Sequence, residues 1–210
     1  MAKGFSEFEF KESAIRLNSD DAEAAAAEST DEALSELLTS FVRIGCVGTI
    51  SQVLNTKTIT KKCEGVVTKK RTKHAGDGEL KVSLFMQWKV YKILYGMVSS
   101  KLKKGVIGYG NGRHPEFTLV GKALDEDGLV KYKAYPNCVI SDGPSPSIDN
   151  SSEEVAEIEV TIGVSADANG FCLYEALEDE LEDTENADIK DKWMTEFTPD
   201  LVAAETETTE

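Results

Sequence analysis

Apolar and polar positions alternate along most of this chain, and that period predicts strands. Val42, Ile44, Cys46 and Ile50 share one face of a strand over 41–50, and a second strand follows over 53–60. Residues 64–73 read as a strand or arm that ends in Lys69-Lys70-Arg71-Thr72-Lys73. His74-Ala75-Gly76-Asp77-Gly78 then reads as a turn, because Asp-Gly and closely spaced glycines supply positive φ. Leu80, Val82 and Leu84 alternate in the strand after it. Strands resume over 116–123, turn at Asp125-Glu126-Asp127-Gly128, and return with Val130, Tyr132 and Ala134 inward and Lys131 and Lys133 outward. Ala156, Ile158, Val160, Ile162 and Val164 face in along the cleanest strand, with Glu157, Glu159 and Thr161 facing out. Residues 166–170 turn that strand, and 171–177 return it.

Three stretches change period. Met86, Val90, Ile93, Leu94 and Met97 fall on one face of a helix of about three turns, which Gly96 helps to end. Ile189, Trp193 and Phe197 predict a short helix over 186–197, before Pro199. Residues 19–38 read as a polar helix, capped by Ser19, Asp20 or Asp21, whose apolar stripe is thin until Ala33, Leu34, Leu37 and Leu38. The pattern predicts a mainly β fold, a β-sandwich or barrel, with one flanking helix and a short C-terminal helix. Its divisions are an N-terminal segment over 1–40 with the polar helical insertion, a β-domain over 41–199, and a disordered acidic tail over 200–210. The 143–150 stretch, with Pro144 and Pro146, is a linker loop, and the glycines between 105 and 112 form another.

Charge sharpens this picture. The net charge is −15, but from Lys57 to Lys104 there are 13 basic and 3 acidic residues, and from Ile148 to Glu210 there are 2 and 20. An acidic balance opposes specific duplex binding, which relies on many Lys and Arg contacts to phosphate. A basic middle with an acidic end suits a molecule that docks on copies of itself, and equally a solvated surface of uneven charge. Residues Lys69, Lys70, Arg71 and Lys73 are the candidate self-assembly contact. The same cluster also fits a nucleic-acid patch, although it lacks interleaved aromatics for stacking bases, or an ordinary solvated loop.

Motifs for chemistry fail one by one. Gly108-Tyr109-Gly110-Asn111-Gly112 lacks the phosphate-loop spacing and follows a helix. Asp125, Asp127 and Gly128 resemble a piece of a calcium loop, but its distal glutamate position holds Ala134. Cys46, Cys63, Cys138 and Cys172 form no C-x-x-C pair, and with only His74 and His114 beside them no metal set is readable. Neither histidine has a nucleophile signature nearby, and the acidic run over 175–185 gives abundance without geometry. The expectation is a protein without catalytic residues, cofactor or metal. No apolar run reaches the roughly 18 residues of a membrane span, and the N-terminus shows no secretory pattern, so a cytoplasmic origin is expected.

The segment 62–73 with the strand to Leu84, and then Trp88-Lys89-Val90-Tyr91-Lys92-Ile93-Leu94-Tyr95-Gly96-Met97, resembles the major tail (tail tube) proteins of long-tailed, siphovirus-like phages of Gram-positive bacteria. The hairpin 117–123 with 130–135, the Pro136-Asn137-Cys138 segment and the Trp193 helix follow in the same order, so the resemblance covers 41–199; the acidic segment 19–38 departs from it. The resemblance implies a tail-tube β-fold, in hexameric rings that stack into a tube through which the genome is ejected. The implied partners are other copies of the chain, and tape-measure, tail terminator and distal tail proteins. DNA would pass through the lumen without specific binding. The implied place is the virion tail, after synthesis in the host cytoplasm, and no catalytic residue carries over. The alternative reading is a β-sandwich binding module, carbohydrate-binding or adhesin-like, which would show a flat row of exposed aromatics.

Overall fold

The computed structural model describes residues 5–18, 32–97, 99, 101–151, 153, 155–181 and 186–204. The protein is mainly β. Its strands are β1 (Glu9–Leu17), β2 (Val42–Arg43), β3 (Gly45–Cys63), β4 (Val66–Met86), β5 (Phe117–Leu124), β6 (Val130–Ile140), β7 (Ile158–Ser165) and β8 (Tyr174–Leu177). All join one antiparallel sheet in the order β2-β1-β5-β6-β7-β4-β3, and β8 pairs with β6 off that path. The ends of the path come back together. β1 lies against β3, and Ile44 between β2 and β3 donates to the Ser13 carbonyl and accepts from the Gln87 amide. The sheet is therefore curled, barrel-like, with an inside and an outside.

Both sides carry a core. Inside, Ile15, Leu17, Leu80, Leu84, Phe117, Leu119, Tyr135, Ile140 and Ile162 pack with Val90, Ile93 and Leu94 of helix α2 (Trp88–Leu94) and with Leu37 of helix α1 (Glu32–Thr39). Outside, Val120, Tyr132 and Ala134 are covered by Trp193 and Phe197, on and just after helix α3 (Ala187–Glu196). That double cover explains β5, where five consecutive residues from Phe117 are buried with no period-two break. It also corrects the expectation that Lys133 points to solvent. Lys133 is buried, with its side chain on the inner face, and its carbonyl accepts from Trp193 Nε1 at 3.3 Å on the outer one.

Several boundaries differ from the sequence reading for local reasons. The strands expected over 41–50 and 53–60 are one long strand, β3, preceded by the two-residue β2. A register shift between Val47 and Thr49 breaks the alternation, and Cys46 is exposed while Val42 and Ile44 are buried. The turn expected at 74–78 is not a reversal, because β4 runs through it. Leu54 pairs with Gly78 but Thr56 pairs with His74, so the glycine signal marks a bulge, with Gly76 at φ 85°. Chain reversal occurs instead at Glu64 and Gly65. α2 spans two turns, and Gly96 follows it at φ 57°. Residues 171–177 do not return on β7; β8 pairs with β6. Ala156 is exposed and precedes β7. The hairpin turn at 125–128, the inward Val160, Ile162 and Val164, and the Trp193 helix stand as expected. The helix expected over 19–38 is present from Glu32, and 19–31 and 205–210 lie outside the described residues.

A charged cluster fastens the N-terminal segment to the inner face. Glu7 pairs with Lys131 at 2.5 Å and Lys133 at 2.7 Å, and Glu175 of β8 reaches the same two ammonium groups at 3.4 and 3.3 Å. Phe5 lies under Lys131, 4.7 Å from its Nζ, and Ser6 donates to Glu126. Burial opposes ionisation of Glu7, but the hydrogen bonds from Lys131 and Lys133 outweigh it and hold the carboxyl below its usual range.

Candidate assembly arm

The β3–β4 hairpin leaves the sheet. β7 pairs with β4 only from Asp77 onward, so residues 55–75 pair with each other and with no other strand. Every one of those residues is exposed. At a rise of about 3.4 Å per residue the free ribbon extends on the order of 30 Å. Its tip is a two-residue turn with both central residues at positive φ, 52° at Glu64 and 81° at Gly65, which matches the twist of a two-stranded ribbon. At its base Asn55 donates to Asp77 at 3.1 Å beside the Gly76 bulge, which re-aims the ribbon away from the barrel.

Register sorts the ribbon into two unlike faces, since directly opposed residues share a side. Lys57 opposes Lys73, Ile59 opposes Arg71, and Lys61 opposes Lys69. One face thus holds five cations around an isoleucine. The other holds Thr56, Thr58, Thr60, Lys70, Thr72 and His74, with Thr58 and Thr72 hydroxyls 3.3 Å apart. Of the four residues singled out from sequence, Lys69, Arg71 and Lys73 come together and Lys70 points the other way. Lys57, Ile59 and Lys61 complete the basic face. The signal for them was the matching period of 57/59/61 and 69/71/73, and it becomes readable only once the register is known.

The electrostatics are unrelieved among the described residues. Residues 56–75 hold seven lysines and arginines against one carboxylate, Glu64. Among the described residues none of these seven cations forms an ion pair. Like charges opposed across a ribbon oppose pairing by a few tenths to about 1 kcal/mol each, and an isolated two-stranded ribbon is marginal to begin with. An anionic surface laid on the basic face would remove that repulsion and seat Ile59.

Elsewhere the described residues offer little chemistry. No three His, Cys, Asp or Glu side chains among them converge as a metal set. Asp125 Oδ1 accepts from the amides of Asp127 and Leu129, which is the work of a turn. His114 sits 2.7 Å from the Ile140 carbonyl and edge-on to Tyr95. The exposed Trp88 stacks on Tyr91, in a chain of ring contacts through Tyr95 and His114 to Tyr109, and not in a flat open row. Burial pushes the Cys138 thiol far up, whereas Cys46 and Cys63 are exposed.

No known protein family matches the sequence, and no curated protein does. Among solved structures the chain is similar to the tube-terminating cap of the anti-feeding prophage, at 12% identity over 84% of this chain and 95% of that one, with a TM-score of 0.46. It is also similar to a chain of the sheath–tube complex of PVC, an extracellular contractile injection system, in the extended state. That match has 8% identity, covers 79% of this chain and 88% of that one, and has a TM-score of 0.41. Both overlaps are loose, and the fold rests on the pairing and burial described above.

Proposed function

We propose that this chain is a virion structural protein that assembles with copies of itself into the tail tube of a long-tailed phage. One observation supports the reading: a fully exposed, two-stranded ribbon whose basic face has no ion-pair partner among the described residues. A ribbon of that kind is costly to keep for a solitary monomer and useful to a polymer, because a contact worth about 1 kcal/mol or less per exposed pair is repeated at every copy. The resemblance of residues 41–199 to siphovirus-like tail tube proteins gives the polymer its form, hexameric rings stacked into a conduit for the genome. Tape-measure, tail terminator and distal tail proteins are the further partners of this reading, and catalysis and cofactors have no place in it. Contacts between unlike surfaces of identical copies close into rings or continue as filaments without any ligand.

Concentrated protein viewed by negative-stain microscopy is expected to show rings or tubes, with light scattering rising with concentration. A strict monomer at every concentration and salt would count against the reading.

The same tubes provide a second test. Duplex DNA is expected not to bind them at about 0.15 M salt, where screening acts over about 8 Å. The net charge of −15 opposes a polyanion, and the basic ribbon face is covered once copies dock. Salt-sensitive retardation of DNA by assembled tubes would show that the ribbon faces nucleic acid instead of protein.

A further inference from the structure

Strand β1 is two structures in one. Glu9, Phe10 and Lys11 pair with Leu124, Ala123 and Lys122, and then the register slips before Ala14. At the slip Glu12 adopts φ 54°, a left-handed conformation that disfavours a side chain with a Cβ. Beyond the slip Ile15 and Leu17 are buried in the inner core and the pairing to β5 and β2 is firm. Before it, none of residues 5–11 is buried. They are held by the Glu7 pairs to Lys131 and Lys133, the Phe5 contact to Lys131, the Ser6 contact to Glu126 and the short ladder that starts with the Phe8 amide on the Leu124 carbonyl at 2.8 Å.

What lies under these residues is built to receive them. Lys133 is buried, and Glu7 and Glu175 are its carboxylate partners among the described residues. Gly121 leaves room for the Phe10 ring, since a Cβ there would sit 2.2 Å from it. Beside the segment a cleft of about 430 Å³ runs between it and residues 47–52 of β3, closed below by Lys133 and Tyr135. β1 and β3 do not hydrogen-bond across this seam. A cradle this specific, covered by a segment none of whose residues is buried, fits an element that leaves and is replaced.

We propose that residues 5–11 form an exchangeable strand, hinged at Glu12, which in the assembled state lies in the cradle of a second copy. This rests on the self-assembly reading, and it assigns a contact separate from the basic ribbon. The occupant is the same sequence, so the cradle fits it by construction: the neighbour's Glu7 meets Lys131 and Lys133, and its Phe10 covers Gly121. Passed from copy to copy in one direction, the exchange is a heterologous contact. No bond is made or broken beyond these non-covalent ones.

The test locks the segment. In a full-length background with Cys46→Ser and Cys63→Ser, Glu9→Cys and Leu124→Cys place two thiols at partnered positions of β1 and β5, within disulfide reach. The oxidised double variant is expected to stay monomeric and to regain assembly on reduction. The two single variants, mixed and assembled before oxidation, are expected to give disulfide-linked dimers that dilute monomer does not give. Assembly of the oxidised double variant at the wild-type rate would overturn the exchange while leaving self-assembly intact. So would polymers of the mixture with no linkage between copies, and this second measurement decides even if the double variant folds poorly. A wild-type chain that never assembles would overturn both readings together.

Discussion

Replacing Lys69, Lys70, Arg71 and Lys73 together by serine is expected to suppress polymer growth by an order of magnitude or more while the monomer stays folded. The two halves of that result have different causes. No residue from 55 to 75 touches either core, so the barrel loses nothing when these side chains go; surface substitutions of this kind stay within about 0.5 kcal/mol each. Serine also removes the Lys57–Lys73 and Lys61–Lys69 repulsions, which favours pairing within the ribbon. Each lost contact between copies is small, but it recurs at every interface, so the loss multiplies along the polymer. Register makes the prediction sharper. Lys69, Arg71 and Lys73 changed together are expected to reproduce most of the effect, and Lys70→Ser alone little of it. Sedimentation of polymer and the melting temperature of monomer, measured on the same preparations, decide the matter. Normal polymer yield, or a large loss of monomer stability, would sink the assignment.

Trp193→Ala is expected to do the reverse and destabilise the monomer without touching the ribbon. Trp193 is 2% exposed and lies in the outer core with Tyr132, at 5.7 Å between ring centroids, and Phe197, at 5.0 Å. Truncating a buried tryptophan costs about 3–5 kcal/mol through lost transfer and the cavity left behind. The lost hydrogen bond to the Lys133 carbonyl adds about 1 kcal/mol. For a chain of this size each kcal/mol lowers the melting temperature by about 2–4 °C, so a fall of roughly 10–20 °C is expected. Calorimetry checks it. A change of only a degree or two would mean that α3 is not part of the folding unit.

What was legible in the sequence was whatever depends on neighbours close along the chain. Leu80, Val82 and Leu84 in β4, the 125–128 turn, and Trp193 and Phe197 at helical spacing all read correctly because period and turn chemistry are local. Gly76 gave a true signal with the wrong meaning. A positive-φ glycine in a polar stretch serves a bulge as well as a reversal, and only the partner strand tells them apart. The reversal at Glu64-Gly65 was hidden because glutamate is not a usual residue at φ 52°. Lys133 was misread because alternation assumes one wet face, whereas α3 covers the outer side of β6 and the N-terminal segment covers the inner. Half of the basic ribbon face was legible as a run, 69–73. The other half lies on β3, and its membership is a fact about register, which no single strand contains.

The burial of β5 on both sides also bears on how this protein can change over generations. From Phe117 to Gly121 a new side chain meets α3 and its neighbours on one side or the inner core on the other, so volume is fixed from two directions and nearly every exchange is penalised. Residues 55–75 carry no such constraint. Drift is thereby steered into the ribbon proposed to make contacts between copies. Lineages can diverge in whom they recognise while the barrel that presents that ribbon stays the same.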